Sequence, residues 1–369
     1  MSEDARAWLA RLQALDLPRR VRILNVCGGH ERTITRAGLR GILPGQIELI
    51  PGPGCPVCVC PEEDIYQAMQ LALRDDVILL AFGDLLRVPV NVPRGEPRSL
   101  EQARAAGADI RAVASPLEAV QIARDAPRRR VVFFAAGFET TFAPVAAMVA
   151  AGLPENLLLL SAGRLTWPAV AMLLEEGERG FDALVAPGHV ATVMGAEEWA
   201  FVPEGHHIPT AVAGFSTGSL LAAFWSVLRQ LAEDRPFLDN CYPEAVRPGG
   251  NPGARRLLAE VFAVGEANWR GIGRIAASGF VLRERYAAHD ARRQLPDHAH
   301  AERRRAGEMP PGCDCARVVL GRIYPTDCRL YGRACTPRNP VGPCMVSDEG
   351  ACRIWWAGGV RDPEPGAAA

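Results

Sequence analysis

From Val21 to Ser216 the chain repeats one rhythm: a short apolar run, a glycine- or proline-bearing turn, then a helix-like stretch. Val21–Val26 runs into Cys27-Gly28-Gly29-His30-Glu31, and Ile47–Ile50 into Pro51-Gly52-Pro53-Gly54-Cys55. Val77–Phe82 is followed by Gly83-Asp84, and Val131–Ala136 by Gly137-Phe138-Glu139-Thr140-Thr141. Asp182–Ala186 leads to Pro187-Gly188-His189, and Pro209–Ala213 to Gly214-Phe215-Ser216. Helices are expected at 62–74, 116–125, 167–176 and 217–232, after a short amphipathic helix marked by Trp8, Leu9, Leu12 and Leu15. Strands alternating with helices specify an α/β fold with parallel sheets, because a parallel neighbour is reached only through a crossover. This many units implies two tandem α/β domains, 1–127 and 128–235, divided at the Pro127–Arg130 turn. From about 236 the rhythm stops. Pro243–Pro252 reads as a loop, 254–267 as a helix, and 236–369 as a third, loop-rich domain. Arg292–Arg305, with His298 and His300, reads as charged surface, and the residues after Asp362 as a disordered tail.

Ligands of parallel sheets bind beyond the carboxyl ends of the strands, which is where all these turns lie. The most constrained is Pro51–Cys60, PGPGCPVCVC, between a strand end and a helix start at Pro61-Glu62-Glu63-Asp64. Thiols at such a place are nucleophiles or metal ligands more readily than inert core residues, so Cys55 and Cys58 are read as a reactive pair. Cys27, His30, Cys55, Cys58, Glu139 and His189 are the candidates for one shared cleft, provided the two domains face one another. No G-x-G-x-x-G follows a strand, which disfavours dinucleotide binding.

Composition narrows the chemistry. The 369 residues carry a net charge of −1, which implies no general attraction to nucleic acid or to an acidic membrane. All 41 basic residues are arginine, excluding a phosphate-loop lysine, a Schiff base or a lysine general base. No apolar run approaches a membrane span and the first twenty residues lack a signal-peptide core, so a soluble, cytoplasmic protein is expected. In that compartment the eleven cysteines are not a disulfide framework.

Six of them fall between Cys313 and Cys352, among glycines and prolines. Cys313-x-Cys315 is too tight, and Cys328 to Cys335 too wide, for paired zinc knuckles; loops of this kind suit an iron–sulfur cluster held by four thiolates. Six thiols for four places leave fifteen sets, and spacing alone does not choose among them.

Together CGGHE at 27–31, GPGCPVC at 52–58, GFETT at 137–141, PGHV at 187–190, WRGIG at 269–273 and the CTP…GPCMVS-x-EG-x-C tail at 335–352 resemble the HypD family of [NiFe]-hydrogenase maturation factors, over nearly the whole chain. The resemblance implies two similar α/β domains and a cluster-bearing C-terminal region. It implies a scaffold that, with a HypC-like small chaperone, holds iron(II) while it acquires cyanide and carbon monoxide. A HypE-like protein delivers the cyanide, and the Fe(CN)2CO unit passes to the hydrogenase large subunit. Carried onto this sequence, Cys27 is the iron-ligand thiolate, Cys55 and Cys58 the redox dithiol, and His30 and Glu139 line the same cleft. The family's C-x14-C-x6-C-x16-C spacing assigns a [4Fe–4S] cluster to Cys313, Cys328, Cys335 and Cys352, leaving Cys315 and Cys344 over. The sequence departs from the family's pattern at Cys60 (threonine expected), at Ala316 (glycine expected), at an inserted Phe142, and at Ser216-Thr217 in place of an acid. The competing reading is a stand-alone iron–sulfur thiol–disulfide oxidoreductase resembling ferredoxin–thioredoxin reductase, and Cys27 with His30 is the feature that such a reductase would not need. A cysteine hydrolase built on the same two residues is a third and weaker reading.

Overall fold

The computed structural model describes residues 2–361 apart from 18, 94, 176–179 and 297–308. His298, His300 and the tail after Asp362 therefore lie outside the described residues.

Two parallel sheets carry the architecture. The first has the order β2-β1-β7-β8-β9, from β1 (Val21–Asn25), β2 (Ile47–Pro51), β7 (Ala183–Pro187), β8 (Thr210–Ala213) and β9 (Leu238–Cys241). The second has the order β4-β3-β5-β6, from β3 (Val77–Phe82), β4 (Ile110–Val113), β5 (Arg130–Gly137) and β6 (Leu157–Gly163). Parallel sheets need cover on both faces, and β5 displays it: Val131, Phe133 and Ala135 belong to one apolar cluster, Val132, Phe134 and Ala136 to another.

The expected division at 127/128 does not separate the sheets. β3 pairs with β5 across that turn, Val77 opposite Arg130, while β1 pairs with β7, Ile23 opposite Ala183. Residues 77–163 thus build the second sheet as an excursion between strands of the first. Local rhythm reports that a strand exists but not which strand it joins.

A second correction falls at 254–267. The helix runs Pro252–Val261 and stops; Phe262–Trp269 is β10, antiparallel to β11 (Gly273–Leu282). Gly271 and Gly273 take positive φ, 69° and 110°, which lets the WRGIG segment turn the hairpin. Phe262 and Phe280 leave it to pack on Phe142, with ring centroids 5.2 and 5.1 Å away. The inserted Phe142 is therefore a core residue, fully buried.

The C-terminal region has little regular structure: the helices Cys315–Val319 and Ala351–Ala357 are linked by 3₁₀ turns and loops. It packs on the carboxyl edge of the first sheet, beside Cys27, Pro51 and Cys55, and on the side of β2, where Tyr324 hydroxyl donates to Glu48 at 2.6 Å. Among the described residues no helix is long and apolar enough to cross a membrane.

Candidate thiol site

β1 and β2 are adjacent and in register, Asn25 opposite Pro51, so the CGGHE and GPGCPVC loops leave the sheet side by side. The glycines let them touch. A Cβ on Gly54 would run into the Val26 carbonyl and lie 2.7 Å from Cys27 Cα, and one on Gly52 would lie 2.9 Å from the Asn25 carbonyl oxygen. Cys27 caps the Gly28–Arg36 helix; Cys55 caps the short Pro56–Val59 helix, its sulfur accepting the Cys58 N–H at 3.2 Å. Cys55 and Cys58 are joined in a disulfide, Cα–Cα 5.3 Å. Cys60 stands apart from that pair, its thiol directed at the Pro61 carbonyl.

Cys27 and Cys55 open onto one narrow pocket, and its other walls include Glu31, Cys344 and Glu349. Cys344 comes from the cysteine-rich end. The structure thus sets a thiol of that region beside Cys27 and the disulfide, a juxtaposition that no local motif announces. Burial pushes the Cys27 thiol up to about 12, with Glu349 adding to the effect; the N–H groups of His30 and Gly29 pull the other way and do not prevail. The helix start does not by itself offset the effect of burial on the Cys27 thiol.

His30 is fully buried, with Nε2 2.9 Å from the Ala213 carbonyl and Nδ1 3.0 Å from Asn25 Oδ1. Burial lowers its pKa to about 4. The neutral ring donates to one of these two oxygens, which holds the loop in place, and His30 is not among the walls of the pocket. His189 stacks on Phe215, ring centroids 3.8 Å apart, and Phe215 in turn packs on His30 at 5.0 Å. Glu139 is not among the walls of the Cys27 pocket. It begins the Glu139–Ala150 helix, where Oε1 accepts from Thr166 N–H at 2.7 Å and Thr166 hydroxyl at 3.0 Å. Its companion is Glu198, which the sequence reading missed. Each keeps a buried Oε2 without a hydrogen-bond partner among the described residues. Burial pushes Glu139 up to about 7, and burial with the Glu139 charge pushes Glu198 up to about 8. The expected single cleft therefore resolves into a thiol pocket, an aromatic wall and a buried acid pair.

The six C-terminal sulfurs gather in one place. Cys313 and Cys315 sulfurs both press on Gly342, where a Cβ would lie 2.5 Å from each. Cys315 contacts Cys313, Cys344 and Cys352, and Cys328 and Cys335 lie close to Cys313 and Cys315. Backbone N–H groups point at sulfur: Val341 at Cys335, 3.4 Å, and Cys352 at Cys344, 3.3 Å. Among the described residues the side chains do not close around the position of a single metal ion.

Fold and site define a two-sheet parallel α/β protein that brings thiols from both ends of its chain to one sheet edge. The family described as HypD, hydrogenase formation hypA family, matches residues 3–359. The chain is 41% identical over 349 residues to the hydrogenase maturation factor HypD of Rhodobacter capsulatus, covering 93% of this chain and 91% of that one. It is 40% identical to the HypD of Azotobacter vinelandii (96% and 94% covered) and 37% identical to that of Escherichia coli strain K12 (92% and 89%). The chain belongs to the HypD family and is a hydrogenase maturation factor.

Proposed function

We propose that this chain is the scaffold on which, with a HypC-like chaperone, iron is held while the Fe(CN)2CO unit is assembled. A HypE-like protein supplies cyanide and the hydrogenase large subunit receives the product. The observation that carries this reading is the pocket shared by Cys27, the Cys55–Cys58 disulfide and Cys344. Iron(II) carrying cyanide and CO is a soft centre suited to thiolate, and binding it to Cys27 releases the thiol proton. The disulfide takes up two electrons and two protons to give two thiols. A [4Fe–4S] cluster at Cys313, Cys328, Cys335 and Cys352, when bound, supplies single electrons. Six convergent sulfurs, with an N–H group aimed at Cys335, fit such a cluster. Nine free cysteines among eleven fit the reducing cytoplasm, where we place the protein.

Infrared spectroscopy of the complex purified with a HypC-like partner tests this. The parent protein shows CN and CO stretches on iron; Cys27→Ala folds, keeps the Cys55–Cys58 link and loses both bands. Full-strength bands in the variant would remove Cys27 from the site. The second reading, a stand-alone thiol–disulfide oxidoreductase, draws on the disulfide itself; it requires undiminished disulfide turnover in Cys27→Ala and no iron-bound CN or CO in the parent.

A further inference from the structure

Glu31, the last residue of the CGGHE motif, has no role in the scheme above, yet it is only 2% exposed and forms one wall of the thiol pocket. Its carboxylate is spoken for. Oε1 accepts the Trp355 indole N–H at 2.6 Å, and the Arg40 guanidinium lies 2.9 Å from the same carboxylate while covering the Trp355 ring at 4.7 Å. Arg40 also donates to the Leu49 carbonyl at 3.1 Å, which ties the arrangement to β2. Trp355 is fully buried and sits three residues after Cys352 on the Ala351–Ala357 helix.

That helix and the one capped by Cys27 form a tight pair. A Cβ on Gly358 would run into Thr35, one turn beyond Glu31. At the other end Arg32 donates to the Asp348 carbonyl at 2.7 Å, and a Cβ on Gly28 would lie 2.7 Å from the Glu349 Cβ. We infer that Glu31 is a positioning residue, which through Trp355 and Arg40 fixes the helix bearing Cys352 against the helix that Cys27 begins. It sets the spacing between the cysteine-rich site and the iron pocket. A carboxylate suits the task because charge-assisted bonds in a buried place are stronger and shorter than neutral ones.

The part of this inference that concerns the cluster rests on the proposed function; the part that concerns Cys27 does not. The test therefore has two arms, using the full chain with Glu31→Gln, Glu31→Ala and Trp355→Phe, the last keeping the ring and losing only the N–H. The first arm is the alkylation rate of Cys27 in the folded apoprotein, followed by mass spectrometry. Loss of the indole bond is expected to speed it by about tenfold in Trp355→Phe, more in Glu31→Ala, which also removes the partner of Arg40, and less in Glu31→Gln, which retains an acceptor. The second is the EPR spectrum of the anaerobically reconstituted, reduced protein, expected to shift in the variants at unchanged iron and sulfide content. An unchanged Cys27 rate in folded Trp355→Phe overturns the positioning role. If the parent binds no labile sulfide, the cluster reading fails, and the alkylation arm still decides for or against Glu31.

Discussion

Glu139 and Glu198 share a buried place in which two full charges are costly, so at least one proton is retained near neutrality. The sign follows from linkage. Both carboxyls are raised in the folded chain, to about 7 and about 8, above the ordinary value of 4.5 that the unfolded chain regains. The folded state then binds more protons, and the pair's contribution is complete below about 4.5 and lost as pH rises through 7 to 8. Thermal unfolding from pH 5 to 8 is expected to show a falling midpoint that flattens in Glu198→Gln; an identical slope in that variant excludes the pair as its source. The cysteines give a second residue-scale test. Anaerobic iron and sulfide analysis is expected to show that Cys313→Ala, Cys328→Ala, Cys335→Ala and Cys352→Ala each lose the cluster. Cys315→Ala and Cys344→Ala are expected to retain it, and loss in Cys344→Ala with retention in Cys313→Ala would reverse the assignment. The site was legible where chemistry is concentrated in a few adjacent residues, as at Cys27, Cys55 and Cys58. Glu198, Phe215 and Trp355 were not, because each matters through a neighbour more than a hundred residues away in sequence or on the other sheet. The only signal for Trp355 was a pair of tryptophans beginning three residues after a candidate ligand.

At the scale of elements, the strands with a special turn behind them were legible and those without were not. Leu157–Gly163 is an apolar run like the others, yet β6 went unread because Arg164-Leu165 after it carries no distinctive motif. The 254–267 stretch was misread because its first half is a good amphipathic helix, while the hydrogen bonds of its second half come from a partner strand. The join between hairpin and second sheet is where stability should be most sensitive. Phe142 fills the space left by Gly163, where a Cβ would run into its ring, and stacks on Phe280. Phe142→Ala is expected to cost about 3–5 kcal/mol, the range for emptying a buried aromatic site. Chemical denaturation measures it; a cost within the scatter of surface substitutions would mean that the hairpin closes the cavity. Gly54→Ala attacks a different element boundary. Its methyl group displaces either the disulfide loop or the Cys27 loop, and expected results are lower stability and altered Cys27 alkylation.

Over the whole molecule, the first sheet is completed only after the second has been built, and the C-terminal region then closes its carboxyl edge. That closure runs through Trp355 on Glu31 and Asp348 on Arg32, while Tyr324 holds the same region to Glu48 near the start of β2. A group bound by Cys313, Cys328, Cys335 and Cys352 would fasten together loops that have little regular structure of their own. Its binding energy would then contribute to folding of that region, as it does in small metal-bound domains. The consequence extends beyond the cysteines. Removing the proposed cluster anaerobically with a chelator should loosen 310–361 and, through the helix pair, also raise amide exchange in 28–36. The second sheet, whose strands pair among themselves, should keep its protection. Hydrogen–deuterium exchange of loaded and stripped protein resolves this directly. Changes confined to 310–361 would mean that the two thiol sites are mechanically independent, and uniform loss across both sheets that the fold is a single cooperative unit. A response limited to the C-terminal region and the Gly28–Arg36 helix is the one that the contacts through Glu31, Arg32 and Thr35 require.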